Sequence, residues 1–358
     1  MKAGRTLTEM AQELDRQLKA KKDYLVDTRA LRMTVPDAGP SLTIENGANS
    51  PAPLAINDIA HRQVGSYLGI PAKYYDKMRS DYPELLAANV NGWFGKEPAT
   101  RMIRTLDGTA RAFLSDKYHR IDNYEVAQTV LPIIARMGQE DGATIESCEL
   151  TESRMYLKVV NPRIQAEVKK GDIVQAGLVI SNSETGMGSV SVAPLVYRLV
   201  CTNGMIAADN SLRKYHVGRA NEASEDFSIY RDETVEADDR AFLMKIEDTV
   251  RAAVDQAKFE AIVAKLRDAT EAKIEPKAAP QVVELTAKEY NFTQNEGEGI
   301  LGHLISGGDL SLYGLANAVT RQAQDVESYD RSTELEATGY KIIAMAPALW
   351  RQLNGVRR

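Results

Sequence analysis

Residues 178–205 read LVISNSETGMGSVSVAPLVYRLVCTNGM, and the way this stretch folds decides the architecture of the chain. Gln175 to Ser181 alternates toward a strand, and Val190, Val192, Leu195, Val196, Leu199 and Val200 form a second β-branched run. Between them Asn182, Ser183, Thr185, Gly186 and Gly188 tolerate positive φ or bond their own backbone, so the two runs read as a hairpin with a wide loop. Pro194 cannot donate to a ladder, which predicts a bulge or an edge there. Arg198 sits inside an apolar run that a Thr202-Asn203-Gly204 turn closes. A guanidinium in that setting needs a partner: a carboxylate such as Glu184 or Asp209, or an anion that the protein binds.

Working outward on the N-terminal side, Leu7, Met10, Ala11, Leu14 and Leu18 predict an amphipathic helix over 6–22. Residues 23–56, with four prolines, read as short strands and loops, and 56–94 as two or three short helices with a stop at Gly69 and a restart at Pro71. That helix, glycine turn and helix carry Lys73, Lys77 and Arg79, a weak echo of a helix-turn-helix in which Tyr74, Tyr75 and Met78 read as packing residues. Asp107-Gly108 is the clearest hairpin signal, joining two runs over 100–115. On the first run, Arg101 and Ile103 share the face opposite Met102 and Arg104. A polar loop, 115–123, then leads to a helix capped by Asp122 or Asn123, and two more strands follow over 143–150 and 155–160.

On the C-terminal side, 232–274 reads as one long charged helix whose apolar stripe shifts slightly at Ile262, ended by Pro276 and Pro280 in a brief EPKAAP linker. Short helices follow around 300–305, 312–325 and 345–353. The fold class is α+β: an antiparallel sheet with flanking helices and a long charged helix. Three regions are expected: 1–55, an N-terminal helix and irregular segment; 56–230, the sheet-bearing core; and 231–358, the long helix and a helical remainder.

Composition bounds the function. The 358 residues are 44% hydrophobic and 26% charged, as in a folded globular protein. No apolar run is long enough for a membrane span, and the charged N-terminus has no signal-peptide core, so a cytoplasmic location is expected. Cys148 and Cys201 stand far apart, and the four histidines have no ligand-grade neighbours at metal spacing; neither a disulfide framework nor a zinc site is expected. Phosphate-loop, dinucleotide, serine-hydrolase and zinc-protease motifs are all missing, so neither a cofactor nor an enzymatic activity is expected. Asp116, Lys117, Tyr118, His119 and Arg120 with Asp122 form the one cluster with catalytic residue types, but charges facing water and a helix cap explain it equally.

Charge is uneven. Residues 101–220 carry 15 basic against 13 acidic side chains, and residues 221–358 carry 16 against 25. Through the middle third, cations alternate with Tyr118, Tyr156, Tyr197 and Tyr215, the residue types that grip phosphates and stack on bases of single strands. The residues expected to bind nucleic acid are Arg111, Lys117, Tyr118, Arg120, Arg198, Arg213 and Lys214.

The segments SDKYHRIDN (115–123), SNSETGMGSVSVAPLVYRLVCTNGM (181–205) and YGLANAVTRQAQDVESYDRSTELEATG (313–339) give the chain a resemblance to the phage/plasmid-like family known as domain of unknown function family 932, over roughly 55–345. The resemblance implies a mobile-element setting and transfers no activity. Such elements handle single-stranded DNA, including by ring-forming annealing proteins built on a sheet and a helix, and the order of elements here is compatible with that class by analogy. The function expected is therefore single-strand binding or annealing of DNA by a homo-oligomer. The alternative is an anti-defence protein that inhibits a host immune protein by direct binding, for which the acidic C-terminal third is suited.

Overall fold

The computed structural model describes residues 1–37, 39–45, 51–118, 120–188, 190–207, 232–253 and 256–355. The chain is α+β, with helices packed on two sheets. The first sheet has the order β1-β5-β6-β4-β3-β2, formed by β1 (Lys22–Asp27), β2 (Leu31–Thr34), β3 (Ser41–Ile44), β4 (Leu54–Ile56), β5 (Thr100–Leu106) and β6 (Thr109–Ser115). Its pairs are antiparallel except β4 with β6, which run parallel because three helices intervene. Those helices, α2 (Asp58–Tyr67), α3 (Ala72–Asp81) and α4 (Pro83–Lys96), cover one face, burying Val64, Tyr75, Met78, Leu86, Val90 and Phe94 on Leu42, Ile56, Ile103 and Phe113. The expected division at residue 55 falls inside β4: Lys22–Asp27, Leu31–Thr34, Ser41–Ile44 and Leu54–Ile56 are four strands of this sheet, because each short apolar run finds a ladder partner.

The β5–β6 hairpin turns at Asp107 and Gly108, both at positive φ (51° and 77°), as the dipeptide predicts. Between Arg104 and Thr105 the register slips, leaving Arg111 as the extra residue of a bulge. Alternation before it puts Ile103 in the helix-covered core, where Arg101 also stacks over the Tyr67 ring at 3.8 Å; Met102 lies on the other face with Ala112 and Leu114.

The second sheet is antiparallel throughout, with the order β11-β10-β9-β8-β7: β7 (Thr144–Leu150), β8 (Met155–Lys169), β9 (Asp172–Asn182), β10 (Ser191–Arg198) and β11 (Asn203–Ile206). The hairpin expected from 178–205 is β9–β10, with Ser191 opposite Ser181 and Arg198 opposite Val174. Pro194 lies one residue beyond the β11 ladder, and its carbonyl accepts from Ala207 N.

Both faces of this sheet are covered. On one, α1 (Leu7–Ala20), α5 (Asn123–Asp141) and α6 (Asp232–Ala253) bury Met10, Leu14, Val126, Val130, Ile246 and Val250 against Leu157, Val159, Leu178 and Ile180. On the other, α11 (Tyr329–Ile343) meets Tyr156, Lys158, Val179 and Leu195 through Tyr329, Glu336 and Ala337. Farther along the first face, α7 (Gln256–Glu271), α8 (Ala279–Glu289), α9 (Gln294–Gly307), α10 (Leu312–Gln322) and α12 (Pro347–Leu353) pack with α11 around Val174, Ala176 and Val196. The long helix expected over 232–274 is thus two helices serving different cores, which is why its stripe shifts: Ile246 and Val250 face α5, while Phe259, Ile262 and Leu266 face α10 and the tip of the β8–β9 hairpin. EPKAAP is a helix start, with a short turn at Pro276–Ala278 and Pro280 in the first turn of α8. No described helix is long and apolar enough to cross a membrane.

Candidate nucleic-acid interface

The buried sheet changes the meaning of most of the cations expected to bind. Arg198 Nε and Nη2 grip Asp172 in a fork at 2.7 and 2.8 Å, and the Tyr313 hydroxyl donates to the same carboxylate at 3.0 Å. The acid is two positions from Arg198's cross-strand partner Val174, a diagonal neighbour that exists only once β9 and β10 are in register. Burial works against this guanidinium, but Asp172 outweighs it and raises its pKa. Arg198 is therefore a structural cation, neither paired to Glu184 nor open to an anion.

Glu184 is committed elsewhere. It accepts from Arg111, which the bulge aims out of the helix-covered core, and from Asn123 N at 2.6 Å. Its carbonyl accepts from Arg104, a fully buried side chain that also bonds Asp23 at 3.0 Å and Asp122 at 2.6 Å. Lys21 completes the cluster on Asp122. Burial disfavours the Asp122 carboxylate, yet Arg104 and Lys21 hold its pKa below the ordinary value. Gln63 reaches from α2 to Thr185 O, and the Tyr118 hydroxyl donates to Ser183 O. The Ser183-Glu184-Thr185-Gly186 turn is thus a polar junction between the two sheets. Arg111 belongs to that junction and, with Arg198, is removed from the binding set.

Lys158, another cation of the sheet region, is fully buried against Glu336 at 2.6 Å; Tyr156 is buried as well, and Tyr197 is half-buried. Lys169 pairs with Asp309 and Arg163 with Asp141. Of the expected set, Lys117 and Arg120 stand exposed, Arg120 within 3.4 Å of Asp23. Tyr118 is half-buried, and Arg213 and Lys214 lie outside the described residues, as does His119. No group of acidic, histidine or cysteine side chains able to hold a metal is present among the described residues.

Topology nevertheless gathers what remains at one end of the second sheet. The β9–β10 turn (183–190), the β7–β8 turn with Arg154, and the loop carrying Lys117 and Arg120 meet there through the Tyr118–Ser183 bond and the bond from Asn182 to Ile121 O. Strand β11 runs from Asn203, opposite Arg198, to Ile206, opposite Leu195, and so heads toward this same end. Beyond Ala207 the sequence continues into the stretch holding Arg213 and Lys214.

Sequence reasoning missed a different set. Tyr74, Tyr82 and Trp93 are 50%, 60% and 36% exposed, and they lie on or between α3 and α4. Tyr75 and Met78 pack inward as expected, but Tyr74 does not, and Arg79 is held by Asp58 at 2.7 Å. The helical period of α4 does not announce the display: Leu86, Val90 and Phe94 are buried, while Trp93, seven positions after Leu86, lies at the margin of that face and is exposed, as are Leu85 and the N-cap Tyr82.

A family model described as a domain of unknown function, DUF932, matches residues 112–347. The match opens within β6, later than the resemblance from about residue 55 implies, so most of the first sheet and its three helices precede it. No curated protein and no solved structure matches the chain.

Proposed function

Starting from a chain that belongs to the domain of unknown function family DUF932, whose description states no activity, we propose a non-catalytic protein of a mobile element that binds single-stranded nucleic acid. The binding surface is the end of the second sheet, not its face. One observation carries this reading: Lys117 and Arg120 stand exposed on the loop that the Tyr118–Ser183 and Asn182–Ile121 bonds fix beside the β9–β10 turn. Cations gathered at a sheet end can follow a phosphate backbone without an open sheet face. An oligomer would repeat this end and lengthen the track, and mass measurement in solution with and without an oligonucleotide reads that directly.

The test is binding of a labelled oligonucleotide at two salt concentrations. Affinity falls steeply with salt, and Lys117→Glu with Arg120→Glu reduces the slope of log K against log salt by about 0.7 for each phosphate that is no longer neutralised. No binding at low salt removes the proposal. A second reading, direct inhibition of a host defence protein, draws on the acidic C-terminal third; affinity capture in the presence of nuclease, recovering a stoichiometric partner, would favour it.

A further inference from the structure

We propose that the outer face of α3 and α4 is a base-stacking platform, a second part of the nucleic-acid surface that rests on the reading above. Among the described residues, the aromatic side chains open to solvent by more than a third are Tyr74, Tyr82 and Trp93, all within this one helical pair. Along α4, the N-cap Tyr82, Leu85, the half-buried Asn89, Trp93 and Lys96 recur at spacings of three and four, so they form one line along the margin of the buried face of the helix. Asn89 Nδ2 meets Met78 Sδ of α3 at 3.8 Å, a contact one turn from Tyr74 along α3 and one turn from Trp93 along α4. The Lys96 ammonium lies 4.8 Å from the Trp93 ring centre.

The chemistry of the line selects its occupant. A helix meant for a hydrophobic groove presents aliphatic anchors, whereas this one offers Leu85 alone between rings, an amide and an ammonium. Rings on a rigid helix receive the flat face of any base, and the exposed Lys73, Lys77 and Lys96 lie beside them. Exposed Asp76, Asp81, Glu84 and Glu97 balance those lysines, so this face supplies stacking and little net attraction for phosphate. The salt-sensitive part of binding belongs to Lys117 and Arg120. The platform lies before the DUF932 match, so it is a property of this chain's first sheet and its helices.

The experiment compares a thymidine oligonucleotide with an abasic strand of equal length and charge, using the full chain and its Tyr82→Ala and Trp93→Ala variants. Both residues are solvent-exposed, and unchanged thermal unfolding confirms that the variants fold. The full chain is expected to prefer the base-bearing strand, and each variant to lose roughly ten- to a hundred-fold in affinity for it with the salt slope unchanged. Equal affinity for the two strands, or variants that bind like the unsubstituted chain, overturns the platform while leaving the sheet-end reading in place. Absence of any binding by the unsubstituted chain at low salt overturns both.

Discussion

Lys158 and Glu336 show how much a single buried residue can carry. Both side chains are 0% exposed, Nζ lies 2.6 Å from Oε2, and the ammonium sits 4.6 Å from the Tyr329 ring centre. Removing one partner strands a charge in the interior. Glu336→Leu is expected to cost about 3–5 kcal/mol, and Lys158→Met combined with Glu336→Leu much less than the sum of the single changes. Urea unfolding of the two single variants and the double variant measures this; additive losses would show that the pair is not coupled. His61 behaves differently. It bonds the Tyr75 hydroxyl at 2.9 Å, and burial, aided by Arg79, lowers its pKa to about 4. The unfolded chain therefore binds more protons between about pH 6.5 and 4, so stability falls as the pH drops through that window, with a slope of up to about 1.4 kcal/mol per pH unit. His61→Asn is expected to flatten this segment of the stability profile, and an unchanged profile would show that the imidazole is already accessible to protons.

Elements meet closely where side chains are reduced. Gly339 on α11 faces α10, and a Cβ there would overlap the Thr320 methyl and approach Ala316 O at 3.3 Å. Gly339→Ala is expected to destabilise by about 1–3 kcal/mol through overpacking at this crossing, read as a lower urea midpoint. The same interface holds Asn203 of β11, whose amide donates to Thr320 Oγ1, so the YRLVCTNG and NAVTR segments, both inside the family match, are contact partners. At the other end of the sheet, the NSETG turn docks on the β6 bulge. Short segments that stand out in the sequence are here the joints between layers.

Across the whole molecule, the charge asymmetry of the sequence becomes a difference between inside and outside. Arg104, Arg111, Lys158 and Arg198 are absorbed by Asp23, Asp122, Glu184, Glu336 and Asp172 within or between layers. They hold the first sheet to the second and the second to its helices, so they contribute little to the outer field. Of the residues expected to bind, Lys117 and Arg120 are the described ones that remain exposed, both at one end, and the salt response of binding is expected to be read first at these two.

Sequence by itself determined the α+β class, the β9–β10 hairpin, the Asp107-Gly108 turn, the N-terminal helix and the family, because each is written in local periodicity, turn chemistry or contiguous motif. The shift of stripe near Ile262 was legible too, although not its cause, two cores instead of one. Only the tertiary structure decided that the sheet has no open face, that Arg198 belongs to Asp172, and that Tyr74, Tyr82 and Trp93 face solvent. The physical reason is that ion pairing and exposure depend on which distant segments come to lie together. Asp172 precedes Arg198 by 26 positions and Glu336 follows Lys158 by 178, and nothing in either neighbourhood of the chain announces its partner.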